Sequence, residues 1–340
     1  MKKGITKILS ACVFAFVVFL AAGTQSKAAV NMGVKQTGAG SSYVELAWNA
    51  QLGAGHYHTQ FSQDGKNWID MEYSSSPSDS VYNLTQGASY YARVVAYNGS
   101  HYSGTHVMVS VSETAIVSTK PTEVTGLTQT AAGVNSVSMS WNASAGAASY
   151  VIYGYINYNW TQIGTSATNS ATITGVAATT STKFSVAAVK NVTGGTVTGD
   201  QCSGVEMKAI PIKVSRIAMQ YYWDSLKEAK YIWTDVNNAD GYQYEVKSAN
   251  GKKTYFRATS TSSYTYVKPF PRGIFVKARV RAYVTVGNKV YYGAWSPYTY
   301  HASSKKVTAK RSSNGKKIYL KWKKVSGASG YQVYVSTKSN

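Results

Sequence analysis

One pairing recurs four times in this chain: a tryptophan, eight residues, then a tyrosine. It occurs as Trp48 and Tyr57, Trp141 and Tyr150, Trp233 and Tyr242, and Trp322 and Tyr331. Successive tryptophans stand 93, 92 and 89 positions apart. A period of about 90 residues is too long for a stacked solenoid and fits a string of small domains, each with its own core.

Each tryptophan closes a run that alternates apolar and polar positions. Val44, Leu46 and Trp48 point one way, and Tyr43, Glu45 and Ala47 the other. Val137, Met139 and Trp141 repeat the pattern, as do Ile318, Leu320 and Trp322. Period two with one apolar face predicts a half-buried strand. Each tyrosine opens a second such run, as in Tyr242, Tyr244 and Val246. The residues between are small or polar and include Gly, which predicts a connection. Two large rings facing each other from two sheets would bury roughly 150–250 Å² each, a large share of the core of so small a domain.

These residues resemble the fibronectin type III family. Leu84, Gly87, Tyr90, Arg93, Val94 and Ala96 match the family's corner and sixth strand, and Pro121 to Leu127 its first strand. The resemblance implies that the Tyr90 hydroxyl bonds back to the backbone at the corner. The third copy carries Phe270, Gly273, Arg279, Val280 and Ala282 in the same register, with Val276 in place of the corner tyrosine; the second has Thr182 there. The implied fold class is all-β, tandem sandwiches, and the implied role is binding, spacing or adhesion.

The opening Met1-Lys-Lys, the apolar run Ile8 to Ala22 and Ser26-Lys27-Ala28 predict a signal peptide over 1–28, cut after Ala28. An uncleaved anchor is the other reading of that run. Expected domains are 29–117, 118–211 and 212–303, with 304–340 an incomplete fourth repeat. About 36 residues cannot enclose a sandwich core. That points to a piece of a longer product, or to a tail that is unfolded or borrows strands. Cys12 leaves with the signal and Cys202 remains alone, so no internal disulfide is expected. An exported chain without disulfides suggests a bacterial source, and Cys202 is expected to be an inert thiol in a loop.

The formal net charge of +21 is unevenly placed. Residues 29–211 hold seven basic and nine acidic groups, whereas residues 212–340 hold 24 and five. The basic end predicts an anionic partner outside the cell, a wall polymer or acidic polysaccharide rather than nucleic acid. Register with the first copy places Lys277, Arg279 and Arg281 on an outer face at strand spacing, where like charges repel. Glu245 can answer one of them, which leaves two as a candidate clamp for phosphate or carboxylate.

His56 and His58 flank Tyr57 and so point away from the core. His101 and His106 lie in the loop after the sixth strand, which the resemblance brings to the same end of the sheet. These four are a candidate zinc or copper site. No Cys or Asp completes the set in sequence, and ordinary surface histidines are the other reading. Tyr153, Tyr155, Tyr158 and Trp160 form a candidate sugar-stacking row, although Tyr is also simply a good strand residue.

No paired carboxylates, phosphate loop or nucleophile elbow is present, so no enzyme and no cofactor is expected. The expected function is an exported binding or adhesion protein, with its basic end on an anionic surface polymer and other surface proteins as further partners. The alternatives are a passive spacer array and an accessory module of a polysaccharide-degrading enzyme. No segment after the signal is apolar enough to span a membrane.

Overall fold

The computed structural model describes residues 27–103, 106–223, 225–271, 273–302, 307–325 and 328–333. The expected signal segment, up to residue 26, lies outside them. The described chain is strand and turn, with a single 3-10 turn at His101–Ser103. Among the described residues no helix is long and apolar enough to cross a membrane. The chain packs as two compact units. One includes the described residues to Thr122, Ser144–Ala148 and Val189–Asp200; the other comprises Glu123–Ala143, Ser149–Ala188 and the described residues from Gln201 onward.

In the first repeat, Val44–Ala47 pairs antiparallel with Lys35–Ala39 and with Ser78–Val81. A second sheet runs in the order Ala29–Val30, Met108–Ser112, Ser89–Tyr97, His56–Ser62, Ile69–Ser74, with Ala115–Ser118 also on Ser89–Tyr97. Val44, Leu46 and Val81 from the first sheet meet Phe61, Ala92 and Val94 from the second in one core. The third repeat has the same plan. Ile217–Trp223, Glu228–Trp233 and Tyr264–Val267 form one sheet. Thr254–Ser260, Gly241–Ser248, Phe275–Val286 and Lys289–Tyr292 form the other, joined by Thr299–Ala302. The second repeat shows the same two sheet orders, through Ser136–Ser140 and through Thr182–Val192.

The recurrent tryptophan and tyrosine pack against each other in all four copies. Their ring centroids lie 5.4, 5.2, 5.5 and 5.4 Å apart, always steeply inclined. Such tilted pairs set a positive ring edge toward a negative face. The tyrosine also fixes the connection between its strand and the tryptophan's. Its hydroxyl accepts from the N–H of Gln51 (2.9 Å), Val236 (2.8 Å) and Val325 (2.5 Å) in the first, third and fourth copies. A part-buried N–H that the ladder cannot reach is satisfied this way. At the corner of the first repeat the Thr85 N–H donates to the Tyr90 hydroxyl at 3.0 Å, as the resemblance implies.

The fourth copy departs from the expected burial. Thr308–Arg311 pairs with Ile318–Lys321 as a two-stranded sheet. Ile318 is 65% and Leu320 38% exposed, so they do not face a core. Among the described residues no second sheet covers them.

Cys202 is in a loop but buried, and it has a structural task. The Val186 N–H donates to its Sγ at 3.3 Å. In the other two repeats the matching valines, Val94 and Val280, donate to Ser112 Oγ (2.8 Å) and Ser296 Oγ (3.0 Å). Cys202 therefore stands where its neighbours carry serine. Cys202→Ser is expected to change stability by less than about 1 kcal/mol, because an acceptor is kept. Cys202→Ala should cost about 1–3 kcal/mol by leaving a buried N–H unpartnered. Denaturant titration of both variants checks this, and equal effects would contradict it.

Candidate functional site

The four histidines of the first repeat form one cluster. His56 and His58 share a face of the strand His56–Ser62 because side chains alternate along a strand. That face is not open to solvent at His56, which is only 2% exposed. The ring of Tyr97 stacks on it at 5.3 Å, and His101 and His106 pack edge-on at 5.5 and 5.2 Å. The reading of His56 as a surface residue is thus corrected. The outer face of the strand is covered by the loop that follows Tyr97.

The nitrogen atoms define the chemistry. One ring nitrogen each of His56, His58 and His101 lies within 4.8 Å of the others. His58 Nε2 and His101 Nδ1 are 3.2 Å apart. His56 Nδ1 lies 3.1 Å from the Gly99 carbonyl, which can only accept, so Nδ1 carries the hydrogen. Nε2 then presents a lone pair, and it is buried with no hydrogen-bond partner among the described residues. His106 Nδ1 is likewise buried and unpartnered. Gly55 makes the Gly99 contact possible, since a Cβ there would stand 2.0 Å from the Gly99 oxygen.

A second layer supports His58. Its Nδ1 is 4.0 Å from Asp70 Oδ1. Asp70 accepts from Gln60 (2.7 Å), and Gln60 accepts from Arg93 Nε (2.7 Å). Tyr73 stacks flat on His101 at 4.1 Å and shares a short hydrogen bond with Tyr102. Burial lowers the His58 pKa; Asp70 opposes that, and the neighbouring imidazoles add to it. His58 is accordingly neutral near pH 7.

In the third repeat the expected row of Lys277, Arg279 and Arg281 is present, but it is not vacant. Cross-strand pairing places Glu245 between Arg279 and Arg257. Its carboxylate is wholly buried and takes Arg279 (2.6 Å), Arg257 (2.6 Å) and Lys247 (3.0 Å). Burial alone would raise the Glu245 pKa, but the three cations outweigh it and hold it at about 2. Arg281 donates to Gln243 Oε1 at 2.7 Å and lies 3.8 Å above the Tyr292 ring. Arg279 stacks on Trp295 at 4.3 Å, and Lys277 sits over Tyr298 at 4.6 Å. Within the row Glu245 answers Arg279 alone, as expected, and its other two cations, Arg257 and Lys247, lie outside the row; Lys277 and Arg281 have partners of their own inside the chain. The row is a stabilising stack of alternating cations and rings.

Exposed cations lie further along. Lys310, Arg311, Lys316, Lys317, Lys321, Lys323 and Lys324 are all exposed, and none forms an ion pair among the described residues.

The aromatic row of the second repeat is less regular than the sequence suggests. Tyr155 and Trp160 are cross-strand partners whose rings meet edge-on at 61°. Tyr158 sits at the hairpin tip, 89% exposed with a φ of 65°, and Tyr153 is half-buried opposite Gln162. The four do not form one flat platform. A second aromatic face was not foreseen. On the sheet of the third repeat, Tyr221, Tyr264 and Tyr266 surround Lys230 Nζ at 5.7, 5.0 and 5.6 Å. Trp223 extends it, 4.1 Å from Tyr221. The alternation Tyr221, Trp223 and Tyr264, Tyr266 was the available signal.

No family model matches the chain. The chain is similar to chitinase A1 of Niallia circulans, with 33% identity over 162 residues, which take in 45% of this chain. The match covers 22% of that protein, so the chain spans about a fifth of the curated relative's length. Among solved structures it is similar to the FN1–FN3 domains of chicken CNTN1, at 15% identity and a TM-score of 0.33, over 81% of this chain and 98% of that one. The chain is an all-β array of repeated sandwiches that resembles the fibronectin type III family.

Proposed function

We propose that the chain is a non-catalytic, exported array whose basic end holds an anionic polymer of a bacterial surface, an acidic polysaccharide or a phosphate-rich wall polymer. The observation that carries this reading is the set of seven exposed cations from Lys310 to Lys324 with no ion pair among the described residues. Closely spaced polymer charges would displace their counterions and bind them diffusely. The stacked row at Lys277, Arg279 and Arg281 contributes little, because its cations are already engaged.

A second reading rests on the stretch shared with chitinase A1. In it, the sandwiches are spacer or accessory modules of a polysaccharide-degrading protein, and exposed rings such as Trp223 and Tyr264 meet neutral sugar. One experiment separates the two. Full-length protein is applied at low salt to an immobilised carboxylate-rich polysaccharide and to chitin. The first reading expects retention on the acidic polymer and release by about 0.5 M salt, as screening shortens the reach of exposed charges. Retention on chitin alone, unchanged by salt, would replace it with the second.

A further inference from the structure

We propose that the imidazole cluster of the first repeat is a divalent metal site, with zinc as the ion it fits. His56, His58 and His101 are the ligands, and the His106 ring packs against His56 at 5.2 Å outside that set. Tetrahedral zinc with Zn–N bonds of about 2.0–2.1 Å sets its ligand nitrogens roughly 3.3 Å apart. His58 Nε2 and His101 Nδ1 already stand 3.2 Å apart. That spacing matches one edge of such a tetrahedron.

The third ligand is prepared by the fold. His56 donates from Nδ1 to the Gly99 carbonyl, which leaves a buried Nε2 lone pair with no other use among the described residues. A buried acceptor without a partner is unfavourable, and a metal bond would satisfy it. Metal-bound histidines commonly fix their tautomer through a carbonyl or carboxylate on the other ring nitrogen. Here His56 has the Gly99 carbonyl in that role, whereas Asp70 Oδ1 lies 4.0 Å from His58 Nδ1, beyond hydrogen-bond reach. The site joins the strand His56–Ser62 to the turn His101–Ser103, so a bound ion would fasten the loop to the sheet.

The test is calorimetric titration of the full chain with zinc chloride at pH 7.5 and micromolar protein. One zinc per chain is expected, and cobalt(II) in its place should give the intense visible absorption of a tetrahedral site. His58→Ala and His101→Ala should each weaken binding at least tenfold. His301→Ala, outside the cluster, should not. Thermal unfolding of each variant without metal shows that the fold is kept. Absence of a stoichiometric site, or affinity unchanged from wild type in His58→Ala and His101→Ala, would overturn the proposal. So would loss of binding in His301→Ala.

Discussion

Trp48→Ala and Trp141→Ala are each expected to destabilise their own repeat by about 3–5 kcal/mol, as truncation of a large core ring does. Both indoles are almost wholly buried, at 6% and 3% exposure. Each also loses its edge contact with Tyr57 or Tyr150. Trp322→Ala should differ. Its strand faces no second sheet among the described residues, and its neighbours Ile318 and Leu320 are exposed. A loss below about 1 kcal/mol is expected there, as for substitutions outside a core. Chemical denaturation of the three variants measures this. Equal losses at all three positions would contradict the assignment of complete cores to the first two repeats.

Glu245→Gln is the second large effect. The substitution keeps the volume and removes the charge, leaving Arg279 and Lys247 half-buried beside Arg257 with no carboxylate. Breaking one side of such a buried network costs about 3–5 kcal/mol. The sign with pH follows from the depressed pKa. Folded Glu245 titrates at about 2, below its ordinary 4.5. Its contribution is therefore complete above about pH 5 and is lost as pH falls toward 2. Wild type should exceed Glu245→Gln in stability at pH 7, and the gap should close by about pH 2. A gap that is constant with pH would mean that packing, not charge, holds Glu245.

Much of the fold was legible because the same physics is written several times. The tryptophan, the alternating strand before it and the tyrosine after it repeat, so each copy corroborates the next. The inward side of Trp48, Trp141 and Trp233 is set by period two, and a facing sheet then buries them. What sequence could not reveal depends on which element covers which face. His56 alternates outward as expected, yet the loop after Tyr97 closes over it. Glu245 is polar and faces away from the core, yet cross-strand cations and their stacked rings bury it completely. The aromatic face around Lys230 joins Tyr221 and Tyr264 from strands more than thirty residues apart; each strand's alternation was visible, but not that the two lie on one sheet around Lys230. Cys202 Sγ occupies the acceptor position that Ser112 and Ser296 fill with a hydroxyl, an equivalence that no local sequence pattern carries.

The proposed attraction of the basic end for an anionic polymer is tested most directly by its salt dependence. Affinity of the full chain for a soluble carboxylate-rich polysaccharide is measured at several salt concentrations, and its logarithm is plotted against that of the salt. Exposed cations that displace counterions give a steep negative slope, because their fields are screened within about 8 Å at 0.15 M. Changing Lys310, Arg311, Lys316, Lys317, Lys321, Lys323 and Lys324 to Gln should flatten that slope. Changing Lys277, Arg279 and Arg281 to Gln should leave it nearly intact. A slope near zero in the unaltered protein, or one that the seven substitutions do not change, would contradict the electrostatic account.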